Sequence, residues 1–169
     1  MMCDSSEDAS ERVRSAIVQG DREAFYDSID DIDPEYELSS GNTLLHSAVW
    51  RGVEEYVSEL LDRDVPIDAQ NGVGKTPLHR ALQEEQFEIA HLLLDNGARV
   101  DIRDAYDVEP LLHAVAEARI DLTERILERG GDPTHENQAG ISPLSLARDG
   151  RSDEIVELLE SHLEDGDPE

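Results

Sequence analysis

The chain has 169 residues, with 41 Asp or Glu against 14 Lys or Arg, and a formal charge of −27. No apolar run is long enough to span a bilayer and no basic stripe could neutralise phosphates, which argues against a membrane segment and against direct nucleic-acid binding. The lone cysteine, Cys3, has no partner for an internal disulfide, and the acidic N-terminus lacks the basic start of a secretory leader, so a cytoplasmic protein is expected.

Residues 1–8 are polar and acidic and read as a flexible tail. Residues 9–19 predict a helix with Val13, Ala16 and Ile17 apolar, broken at Gly20. A second helix is expected over 22–30, with Ala24, Phe25 and Ile29 inward. The connection over 30–40 carries Pro34 and ends in Ser39, Ser40 and Gly41, a turn signal. Further helix pairs are expected near 43–51 and 53–62, 76–84 and 86–96, 109–117 and 119–129, and 142–149 and 152–163.

The third pair shows the local logic. Thr76 is a good N-cap, its hydroxyl able to accept from a backbone N–H that the first turn leaves unpaired. Pro77 follows at the first helical position, where its missing N–H costs nothing. Leu78, Ala81 and Leu82 share one face, Ile89, Ala90, Leu93 and Leu94 form the inward face of the next helix, and Gly97 stops it. Neither helix is long enough to hold in water alone, so each needs neighbours.

Those neighbours are copies. A step of 33 residues relates Gly41, Gly74, Asp107 and Gly140, and likewise Ala48, Ala81, Ala114 and Ala147. The same step relates Leu60, Leu93, Ile126 and Leu159, and Gly97 with Gly130. Thr76, Pro77, Leu78, His79 and Ala81 reproduce T-P-L-H-x-A; Thr43–His46–Ala48 lacks the proline, Glu109–Pro110–Leu111 lacks the threonine with its histidine moved to 113, and Ser142–Pro143 keeps serine as the cap. The pattern resembles that of ankyrin repeats.

That resemblance implies an all-α ankyrin repeat solenoid of stacked helix–turn–helix units with hairpin-like loops. It divides the chain into repeats near 9–37, 38–70, 71–103, 104–136 and 137–163 within a single domain. The first and last repeats act as caps, and polar Arg148, Arg151, Glu160 and Ser161 suit a solvated end. Residues 164–169 read as an acidic disordered tail.

The candidate chemistry is sparse. His46 and His79 occupy the signature column, where the family's histidine ties adjacent loops by hydrogen bonds, so both are expected to be structural. No metal or cofactor is expected, because neither has a Cys or His three or four residues on and stacked helices lie roughly 8–10 Å apart. Gly72–Val73–Gly74–Lys75–Thr76 has the end of a phosphate-binding loop but Ala69 where its first glycine should stand, so a hairpin tip is expected. Carboxylates abound, yet nothing marks a nucleophile–base pair, and no catalysis is expected.

Acids fall at outward second-helix positions such as Glu54, Glu59, Glu88, Asp95, Asp121, Glu128, Asp153 and Glu157. High acid with a single lysine is similar to the composition of halophilic proteins, whose self-repulsion concentrated salt screens; it also suits selection of a basic partner.

The function implied by the resemblance is non-catalytic protein–protein binding through a concave face of hairpin tips and first helices. Its variable positions map to Asn42, Trp50 and Arg51, to Val73, Lys75, Gln83 and Glu84, and to Tyr106, Val108 and Glu117. Trp50, the only tryptophan, lies off its helix's apolar seam, and Trp, Tyr and Arg dominate binding hot spots. The expected partner is another protein, a basic one among the options, bound by a monomer. Alternatives are an immunity or inhibitor protein that neutralises a basic toxin or enzyme, and an accessory subunit or designed scaffold with no dedicated partner.

Overall fold

A computed structural model describes residues 5–150 and 152–165. The remaining positions, which include Cys3, Arg151 and most of the two expected tails, lie outside the described residues. Among those described are ten α-helices in five pairs and no named strand. They are α1 (Ser5–Gln19) and α2 (Arg22–Ser28), α3 (Leu44–Arg51) and α4 (Glu54–Leu61), α5 (Pro77–Gln83) and α6 (Phe87–Asp95), α7 (Pro110–Ala116) and α8 (Ile120–Leu127), and α9 (Pro143–Gly150) and α10 (Asp153–Asp165). The all-α expectation holds, with two differences at the ends. Helix α1 begins inside the segment expected to be a flexible tail, where Asp8 and Arg12 pair at 2.5 Å one turn apart and support an early helix start. Helix α10 runs on to Asp165, into the segment expected to be disordered.

The chain forms two compact units, Met1–Gly97 and Ala98–Glu169. In the first, α1, α3 and α5 form a packed row, each first helix also lying against its own second helix, and α4 packs on α6. Its core is aliphatic: Val13, Ile17, Leu45, Val49, Val57, Leu60, Leu78, Leu82, Ile89 and Leu93 are buried. The divergent first repeat is locked on by its own contacts. Phe25 packs on Tyr56 at 4.3 Å between ring centroids, Tyr26 Oη donates to Glu55 Oε1 at 2.6 Å, and Arg63 pairs with Asp30 at 2.6 Å.

In the second unit α7 lies against α8 and α9, and α10 against α8 and α9, around Leu111, Leu122, Ile126, Ile155 and Leu159. Arg148 reaches Glu160 at 2.6 Å across the last pair.

Helix starts follow the caps. Thr43 and Thr76 each accept from the backbone N–H of the histidine three residues on, and that histidine's Nδ1 accepts from the threonine's own N–H. Ser142 and Ser145 reproduce the reciprocal arrangement with a serine in the histidine's place. Glu109 makes no cap bond; its buried carboxylate accepts from Arg103 Nε at 3.0 Å.

The sharp turn inside each of the first four helix pairs needs a left-handed residue. Gly20 and Gly52 fill it in the first two pairs, but Glu85 (φ 56°) and Ala118 (φ 51°) fill it in the next two. Alanine has no polar side chain to offset that conformation. Ala118→Gly is therefore expected to raise unfolding free energy by about 1 kcal/mol, read by chemical denaturation. A loss of stability would show that the turn tolerates a Cβ without strain.

Candidate functional site

Seven of the ten expected contact residues lie in the first unit. Its loops rise as two tips, residues 38–42 and 71–75. Asn71 shapes the second: its Oδ1 accepts from Val73 N and Lys75 N, both at 3.1 Å, while its Nδ2 donates to Asn42 Oδ1 at 3.0 Å. Neighbouring tips also join through the backbone, Gly72 N donating to Ser40 O at 2.8 Å. A Cβ on Gly41 (φ 73°) would stand 2.7 Å from that Gly72 nitrogen, so the approach requires glycine.

Asp104 and Asn137 repeat the role of Asn71 in the second unit, each accepting from the backbone N–H two and four residues on. The sequence reading missed this column because its first member, 33 residues before Asn71, is Leu38.

His46 ties helix to tip. Its Nδ1 accepts from Thr43 N–H at 3.2 Å, so the proton sits on Nε2, which donates to Lys75 O at 2.9 Å. Burial pushes its pKa down to about 4, so the ring is neutral at physiological pH. Both nitrogens are committed to the fold, as the structural reading of this column expects.

Beneath the tips lies a shallow groove of about 190 Å³ between the first helices. It is lined by Arg14 and Val18 of α1, Leu38 and Asn42 of the first tip, His46, Ser47 and Trp50 of α3, and Arg80 of α5. Trp50 is 52 % exposed at its edge, and Val18 is exposed as well. Arg14 donates through Nε to Glu11 Oε2 at 2.8 Å, and Tyr36 Oη donates to the same oxygen at 2.7 Å. The Arg14 guanidinium and the Tyr36 hydroxyl hold the Glu11 carboxyl down to about 2.

The expected contact residues are thus only partly brought together. Trp50 and Asn42 share the groove. Arg51 is exposed, but its guanidinium lies against the backbone at Gly20, where an added Cβ would stand 2.6 Å from Nη2. Val73 is exposed at the second tip; Lys75 Nζ donates to Gln83 Oε1 at 2.6 Å; Glu84 faces Arg80 at 3.7 Å. Tyr106, Val108 and Glu117 belong to the second unit, Tyr106 59 % exposed at its tip, Val108 half-buried and Glu117 exposed at the end of α7.

Arg14, Ser47 and Arg80 were not expected at the site. They stand 33 residues apart, and the last two fill the free position of the T-P-L-H-x-A signature, so a column count would have found them.

A family model described as ankyrin repeats in three copies matches residues 9–104. No curated protein matches the chain. Among the described residues no helix is long and apolar enough to cross a membrane.

Proposed function

The chain belongs to the ankyrin repeat family, whose repeats are generally non-catalytic protein–protein interaction modules, and from that premise we propose that it binds a partner protein through the row of first helices and tips in its first unit. The observation that carries this is Trp50. It is a large aromatic, half exposed, on the rim of a groove, and the repeating apolar pattern does not require it there. An indole in that setting supplies much contact area at small entropic cost. Val73, exposed on the neighbouring tip, and the Lys75–Gln83 pair between that tip and α5 would extend the same surface.

Trp50→Ala is expected to weaken binding of a captured partner by about 2 kcal/mol or more while leaving the melting temperature nearly unchanged. Glu128→Ala, at the C-cap of α8, serves as the control. A lower melting point with unchanged affinity would make Trp50 a packing residue, and a larger binding loss at Glu128 would move the interface to the second helices.

The charge of −27 favours a second reading, in which a basic partner is drawn in by the exposed acids Glu54, Glu88 and Asp95 on α4 and α6. Such a field raises association rates more than it raises affinity, and its effect falls with salt.

A further inference from the structure

The Trp50 groove departs from the rest of the surface in one respect. In a chain with 41 acids against 14 bases, its charged lining residues are Arg14 and Arg80, and no carboxylate lines it. Arg14 is already neutralised by its bonds to Glu11. Arg80 is not matched in this way. Its side chain is only 24 % exposed, and its one ion-pair partner among the described residues, Glu84, stands 3.7 Å away, beyond hydrogen-bonding distance. A half-desolvated guanidinium with unspent donors is a receptor for a carboxylate, which can take two parallel N–H bonds from it. Beside it the indole of Trp50 and the side chains of Val18 and Leu38 supply the apolar part of the groove's lining.

We infer that this groove takes a segment of the partner protein carrying an Asp or Glu side chain next to a large apolar residue, the carboxylate on Arg80 and the apolar group on Trp50. The inference rests on the first-helix row being the binding face and adds the chemistry of what is bound there. Both halves of the ligand are needed. The acidic remainder of the molecule repels an acidic segment at a distance, but that repulsion is screened beyond about 8 Å at physiological salt. Within the groove the apolar contact adds what the single charge pair cannot supply. A basic segment has no partner there, because Arg80 would oppose it.

The test is selection of a random dodecapeptide library on the whole protein, followed by affinity measurements with synthetic, C-terminally amidated peptides. Enriched sequences should place Asp or Glu beside Leu, Phe or Trp. Exchanging that acid for its amide, or Arg80→Gln in the protein, should each weaken binding tenfold or more, with the helical circular-dichroism melt preserved. Enrichment of Lys- or Arg-rich peptides, or affinity indifferent to Arg80→Gln, overturns the inference. If those same peptides still lose affinity on Trp50→Ala, the binding face stands and only its charge preference is wrong. Peptides indifferent to Trp50→Ala, or no enrichment at all, overturn both.

Discussion

Leu93→Ala is expected to cost about 2–5 kcal/mol of unfolding free energy, among the largest losses available to a single substitution in this chain. Leu93 is fully buried on α6, which packs against α5 and α4. Truncation removes the transfer energy of the side chain and leaves a cavity that two short helices, fixed by their own caps, close only in part. In a repeat protein the loss spreads further, since each helix pair is stabilised mainly by its neighbours. Leu159, one of the residues related to Leu93 by the 33-residue step, is equally buried on α10 against α8 and α9 and should fall in the same range. Chemical denaturation of both variants checks this. A loss at Leu93 below about 1 kcal/mol would mean that the seam collapses freely around the missing atoms, and the packing described for α6 would be wrong.

How much of this could be read beforehand depends on which columns repeat without interruption. The apolar columns through Ala48, Ala81, Ala114 and Ala147 and through Leu60, Leu93, Ile126 and Leu159 placed the last four helix pairs, because burial enforces them in each of those copies. The threonine–histidine caps at Thr43 and Thr76 were legible from the T-P-L-H-x-A signature, although Glu109 and Ser142 interrupt that column. The tip column of Asn71, Asp104 and Asn137 was not, because loop polarity looks ordinary until the side chains are seen folding back onto the backbone. Glu85 and Ala118 hide the left-handed turn that glycine marks in the first two pairs. The groove was half legible. Trp50 announced itself by standing off its helix's seam, whereas Arg14 and Arg80 were lost among ordinary charged residues until the packing of α1, α3 and α5 put them on either side of it. Arg51, also read as a contact residue, is exposed with its guanidinium beside Gly20.

The fold should also weaken in acid through one buried group. His46 is 1 % exposed, and its Nδ1 already accepts from Thr43 N–H, so adding a proton there would charge a desolvated ring and set two donors against each other. Burial lowers its pKa from 6.5 to about 4. The unfolded chain takes up this proton near pH 6.5 and the folded chain refuses it until about pH 4. Unfolding therefore binds a proton throughout that window. The stability tied to neutral His46 is complete above pH 6.5 and is lost progressively as the pH falls to about 4, by roughly 3 kcal/mol in all. The self-repulsion of the many acids acts in the other sense, easing as they begin to protonate, whereas Glu11, held at about 2 by Arg14 and Tyr36, gives up its contribution only in stronger acid. The two are separated with His46→Gln, whose amide nitrogen can still reach the Lys75 carbonyl but does not titrate. Between pH 7 and 5, where few carboxylates have yet titrated, the unaltered protein should lose stability more steeply than this variant. The difference in slope should approach one proton per molecule. Equal slopes would mean that the ring titrates alike in the folded and unfolded chains, and that its link to the neighbouring tip survives protonation.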